Sequence, residues 1–181
     1  MNTCLEGLLI IEPNIFADHR GYFLETYNKK KFQDAVGKIS FVQDNETKSY
    51  KGVLRGLHFQ KPPYAQAKLV RCVEGNVLDV VVDIRHGSDT YGQHFTVELS
   101  GKNKKQIFIP RGFAHGFVVL SNFAVVSYKV DNWYAEAFDA GIRWDDPLLN
   151  IQWGIKESEV LISKKDAKLP FFSEFETPFK R

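Results

Sequence analysis

Two of the five histidines stand in segments that suggest chemistry rather than packing. His58 lies in Val53-Leu54-Arg55-Gly56-Leu57-His58-Phe59-Gln60, and His115 in Ile109-Pro110-Arg111-Gly112-Phe113-Ala114-His115-Gly116. An imidazole changes charge near neutral pH, so each ring could move a proton or bind a metal. Along Val77–Arg85, strand alternation puts Asp79, Val81, Asp83 and Arg85 on one face and Leu78, Val80, Val82 and Ile84 on the other. Acids on the inner wall of a small barrel line a ligand cavity, whereas acids on an outer wall meet water. Alternation alone leaves both readings open. Tyr128, in Ala124-Val125-Val126-Ser127-Tyr128, reads by itself as a core tyrosine. The chain has no GxGxxG, phosphate loop, GxSxG or HExxH, which argues against dinucleotide oxidoreductases, kinases, serine hydrolases and zinc proteases.

These groups need a scaffold, and the composition points to strands. The 181 residues fit one domain spanning 1–181, large enough to bury about 70% of its unfolded surface. Aromatics make up 14%, with 15 Phe, and favour sheets. A net charge of +2 gives no footprint for nucleic acid or an anionic membrane. Cys4 and Cys72 form no CxxC, and two reduced thiols suit the cytoplasm. No signal-peptide pattern or membrane span is evident. Strand-length runs are expected at 8–11, 22–27, 41–43, 53–60, 68–73, 77–85, 95–99, 106–109, 116–120 and 124–130. Short runs punctuated by turn residues predict an all-β sandwich or barrel. One helix is expected at 29–36, stopped by Gly37, and another near 163–168. Phe171, Phe172, Phe175 and Phe179 are expected to pack on the barrel or on a partner subunit.

The two histidine segments resemble the paired signatures of the cupin superfamily, which implies a jelly-roll (double-stranded β-helix) barrel. A metal-binding cupin needs His-x-His, then a Glu, then the later His. Here Gln60 replaces the second His and Glu74 lies too far along, so the site is expected to hold no metal. The resemblance extends to the dTDP-4-dehydrorhamnose 3,5-epimerase family over nearly the whole chain. It is carried by Asp18-His19-Arg20-Gly21-Tyr22-Phe23-Leu24-Glu25, Phe41-Val42-Gln43-Asp44-Asn45, the two histidine segments, Lys68-Leu69-Val70-Arg71-Cys72, residues 79–85, Tyr128-Lys129, Trp144-Asp145-Asp146-Pro147 and Ser163-Lys164-Lys165-Asp166.

This resemblance implies proton transfer at the carbons flanking a C4 ketone, with the ketone as electron sink and no cofactor. His58 matches the base, Asp166 its carboxylate partner, and Tyr128 the acid on the opposite face. Lys68 and Arg55 match cations near the C4 oxygen and the sugar, and Asp79 and His115 complete the polar lining. Simple alternation puts Arg55 and His58 on opposite strand faces, a conflict that a bulge at Gly56 would remove. Arg20, Glu25, Gln43, Asn45 and Lys165 match positions for base and diphosphate contacts, and Phe23 and Tyr134 suit stacking on the pyrimidine. Asp139, also expected to bind substrate, lies with Trp133 and Phe138 in a segment that departs from the family pattern. Arg111 likewise stands where an acid is common. The family also implies a homodimer through the N-terminal strands, a dTDP-linked 4-keto-6-deoxy sugar substrate and a place in dTDP-rhamnose and polysaccharide synthesis. Alternatives are a 3-epimerase, a 5-epimerase or a ketoisomerase on related substrates, or a non-catalytic sugar-binding cupin.

Overall fold

The computed structural model describes residues 1–180. In chain order the strands are β1 (Leu9–Ile11), β2 (Ile15–Asp18), β3 (Gly21–Leu24), β4 (Gln43–Tyr50), β5 (Leu54–Gln60), β6 (Lys68–Glu74), β7 (Asn76–Asp83), β8 (His94–Ser100), β9 (Gln106–Ile109), β10 (Phe113–Val119), β11 (Phe123–Val130) and β12 (Asp139–Gly141). Helix α1 (Lys29–Val36) lies between β3 and β4. Two five-stranded sheets, β1-β9-β6-β11-β4 and β12-β5-β10-β7-β8, stand beside the separate β2–β3 hairpin. All of these ladders are antiparallel. The result is the expected all-β, jelly-roll-like barrel with short helices.

Between the sheets, Val70, Ile107 and Val126 from one side meet Val77, Val81 and Phe117 from the other. Each fully buried aliphatic or aromatic side chain contributes about 1.5–3 kcal/mol. The other face of β7 carries Val80 and Val82 into a second apolar layer, with Trp153 and three C-terminal phenylalanines, Phe172, Phe175 and Phe179. Phe171 instead lies 4.5 Å beneath the Arg143 guanidinium. The Phe-rich end therefore packs on the barrel.

The two acids of β7 have different fates, and neither meets solvent. Asp79 points into the barrel and pairs with His115. Asp83 ends the strand and locks the following turn, accepting hydrogen bonds from Arg85, Ser88 and Thr90.

Helix α1 has the expected limits. The Asn28 side chain accepts from the Lys31 N–H, and Gly37, at φ 104, turns the chain away. Its one buried residue, Phe32, stacks among Tyr27, Phe41 and Phe108 on the outside of the first sheet. The helix expected near 163–168 is a single 3-10 turn, Asp166–Lys168. Strands β2 and β12 were not expected. The run expected at 41–43 is instead the eight-residue β4, Gln43–Tyr50.

Candidate active site

Strand β5 resolves the conflict between Arg55 and His58. His58 pairs with His115 on β10, and Arg55 pairs with Phe117, so β5 spends three steps where β10 spends two. The extra residue is a bulge, and it turns both side chains to the same side. Gly56 makes this possible: its φ is +131, and a Cβ there would sit 2.5 Å from the Gly116 Cα and 2.8 Å from the His115 carbonyl oxygen. Both Arg55 and His58 thus line one cavity of about 550 Å³.

His58 Nε2 lies 2.8 Å from Asp166 Oδ1, across 108 residues of sequence. The 3-10 turn that carries Asp166 is fixed by its own N–H, which donates to Ser163 Oγ at 3.0 Å. Burial pushes the Asp166 carboxyl up, but hydrogen bonding and attraction from His58 outweigh it and hold the group below its ordinary range. The ring is 30% exposed and the carboxylate 6%, so the imidazole faces the cavity while its partner is sealed behind it.

The opposite wall belongs to the other sheet. Tyr128 on β11 and Lys68 on β6 line the same cavity. Burial raises the Tyr128 phenol, Asp139 raises it further and Arg55 opposes them, so it keeps its proton at neutral pH. Burial brings the Lys68 ammonium down to about 8, against the pull of Asp139 and Asp79. A second cavity of about 400 Å³ shares His58, Lys68 and Tyr128 and adds Gln43, Asn45, Tyr134 and Asp139. The site therefore has an imidazole and a phenol on facing walls, with an ammonium beside both. That arrangement can take a proton from carbon on one face, hold an oxyanion, and return a proton to the other.

The remaining expected residues divide into two groups. His115 Nε2 lies 2.8 Å from Asp79 Oδ2, and His115 also lines the larger cavity. Lys165 lines it too, and its ammonium is ion-paired with Asp139. In contrast, Arg20, Phe23 and Glu25 lie on or beside the β2–β3 hairpin, outside both cavities. Arg20 pairs with Asp18 at 2.6 Å, Glu25 with Lys31 at 2.8 Å, and Phe23 is exposed.

Gln60 has a job the sequence did not reveal. It is buried and donates to the carbonyls of Tyr64 and Trp133 at 2.7 and 3.0 Å, while its Oε1 accepts from the Ala135 N–H at 2.7 Å. It thereby clamps the loop that presents Tyr134. Among the described residues, no group of three or more His, Cys, Asp or Glu side chains is placed to hold a metal ion. Thr47 and Ser163 also line the larger cavity and were missed. For Thr47 the signal was there: it alternates with Gln43 and Asn45 along β4.

Residues 2–174 match the sequence profile of the family described as dTDP-4-dehydrorhamnose 3,5-epimerase. The chain is 53% identical over 167 residues to a dTDP-4-dehydrorhamnose 3,5-epimerase from Shigella flexneri, covering 92% of this chain and 91% of the relative. A dTDP-6-deoxy-D-glucose-3,5-epimerase from Legionella pneumophila, solved in complex with dTDP-4-keto-L-rhamnose, superposes with a TM-score of 0.93 at 46% identity, covering 97% and 93% of the two chains. A 3'-monoepimerase from Streptomyces bikiniensis, solved with dTDP-quinovose, gives 0.89 at 34% identity, covering 94% and 86%. Site, fold and sequence agree: the chain belongs to the dTDP-4-dehydrorhamnose 3,5-epimerase family.

Proposed function

We propose that this chain, as one domain over 1–181, converts dTDP-4-dehydro-6-deoxy-D-glucose to dTDP-4-dehydro-L-rhamnose by proton transfer at C3 and C5. The observation that carries this reading is the placement of His58 and Tyr128 on facing sheets of one cavity, with Lys68 beside both. The C4 ketone acidifies the hydrogens on both neighbouring carbons. His58 takes one of them, oriented and stabilised as imidazolium by Asp166. The electron pair moves onto the C4 oxygen, where Lys68 and Arg55 stabilise the enolate. Tyr128 then protonates the same carbon from the other side, inverting it. The sequence repeats at the second carbon, with protons restored through solvent and no net redox change.

Gln43, Asn45 and Tyr134 in the smaller cavity suit the nucleotide half. Arg20, Phe23 and Glu25 would complete that half in a neighbouring copy, making the working form a homodimer. This fits a hairpin whose Ile15, Phe16, Tyr22 and Phe23 stand exposed. Two free thiols, Cys4 and Cys72, suit a reducing cytoplasm. Among the described residues, no helix is long and apolar enough to cross a membrane.

The test is deuterium uptake from D2O into dTDP-4-keto-6-deoxyglucose, followed by NMR. Uptake at C3 and C5 supports the reading, uptake at one carbon replaces it with a single-carbon epimerase, and no uptake overturns it. The His58→Ala variant is expected to lose roughly 10²–10⁴-fold in exchange at both carbons. It should still bind dTDP. Exchange at the parental rate would remove His58 as the base.

A further inference from the structure

The Lys165–Asp139 ion pair spans a boundary. Lys165 lines the larger cavity and Asp139 the smaller, and the two spaces meet at His58, Lys68 and Tyr128. The salt bridge therefore joins the lining of one space to the lining of the other, with Lys165 still 58% exposed at its end. Its two ends come from different elements: Asp139 begins β12, and Lys165 directly precedes the turn that carries Asp166. Asp139 also accepts from the Tyr134 hydroxyl at 3.4 Å, so one carboxylate engages both an ammonium and the exposed aromatic ring at the mouth.

The proposed substrate is a dianionic diphosphate with a sugar on one side and a pyrimidine nucleoside on the other. With its ketone between His58 and Tyr128, such a ligand must run through this passage. A free carboxylate there would repel it, and a carboxylate bound to Lys165 occupies an ammonium that could otherwise pair with a phosphate oxygen. We propose that Asp139 is an internal stand-in for the diphosphate: it holds Lys165 across the passage and yields it when the nucleotide enters. This inference rests on the reading of the site as one for a nucleotide sugar. The affinity the ligand shows is then reduced by the need to displace the carboxylate, as for any site whose open form is a minor population. Asp139 is a positioning residue that sets nucleotide affinity through Lys165, and it has no part in proton transfer.

The experiment is a calorimetric double-mutant cycle with dTDP as the probe, using the parent, Asp139→Asn, Lys165→Gln and the double variant. Asp139→Asn is expected to bind dTDP about fivefold or more tightly, because the internal competitor is gone. Lys165→Gln should cost more affinity in the Asp139→Asn background than in the parent, where part of the ammonium's attraction is already spent on Asp139. Unchanged or weaker binding by Asp139→Asn, or an additive cycle, would overturn the stand-in. Asp139→Ser serves the same cycle should the Asn protein not fold. The readout is independent of turnover. Failure of the parent to exchange protons sinks the epimerase reading, while the four dTDP affinities still decide the role of Asp139.

Discussion

Two histidine–carboxylate pairs sit side by side in this barrel, each with a 2.8 Å contact, yet they do different work. His115 and Asp79 come from neighbouring strands β10 and β7, and both are sealed, at 9% and 0% side-chain exposure. His58 faces His115 directly across β5 and β10, but its carboxylate arrives from a 3-10 turn far along the chain, and its ring is open to the cavity. What distinguishes the reactive pair is access for the ring together with a hidden carboxylate. The pairing itself does not. The sealed pair is a poor source of stability, since desolvation offsets most of its attraction and Asp79 Oδ1 has no partner among the described residues. Its value is positional: it fixes an imidazole beside His58 and places a negative charge behind Lys68.

The comparison can be broken by exchanging each carboxylate for its amide. Asp166→Asn keeps the shape but removes the charge that stabilises imidazolium, so its main effect should be a fall in kcat of about 10²–10³-fold. Asp79→Asn should act mainly on stability. It leaves a buried amide hydrogen unpaired and is expected to cost about 1–3 kcal/mol of stability, seen as a lower urea midpoint at unchanged slope. Its loss of kcat should be the smaller of the two. If Asp79→Asn slows exchange more than Asp166→Asn, the open pair has been misassigned.

The same contrast explains what the sequence could disclose. Alternation in 77–85 sorted the faces of β7 correctly, because one of them is wholly apolar. It could not separate Asp79 from Asp83, since the distinction lies in Arg85, Ser88 and Thr90 folding back on one and in His115 meeting the other. Strand β4 stayed hidden for a related reason. Its inner residues Gln43, Asn45 and Thr47 line the polar cavities, Ser49 accepts from Arg55, and its outer residues face water, so no apolar stripe betrays a strand. The bulge at Gly56 was legible as a need, from Arg55 and His58 having to share a face. It was not legible as a fact, because the close approach of Gly116 that demands a glycine is a tertiary contact. Asp166 carries no local signal: only the fold brings it to His58. Arg20, Phe23 and Glu25, expected at the nucleotide, lie outside both cavities, and no local pattern in the sequence could show that.

The smallest expected effect sharpens the comparison most. Below pH about 8 the Lys68 ammonium is charged and can hold the enolate oxygen. Above it the charge is lost, so kcat/KM should fall on the basic side with an apparent pKa near 8. Stability should move the opposite way. An unfolded lysine keeps its proton to about 10.5, so between pH 8 and 10.5 the unfolded chain binds more protons and folding becomes more favourable as pH rises. Lys68→Met should flatten that rise, and an unchanged slope would remove Lys68 from the account. Asp79 is one of the charges holding the ammonium up, whereas Asp166 is not among them. Asp79→Asn should therefore shift the basic limb to lower pH, while Asp166→Asn lowers the whole profile and leaves the limb where it was. Movement of the limb in both variants, or in neither, would mean that the two carboxylates do not divide the work between the reactive ring and the neighbouring cation.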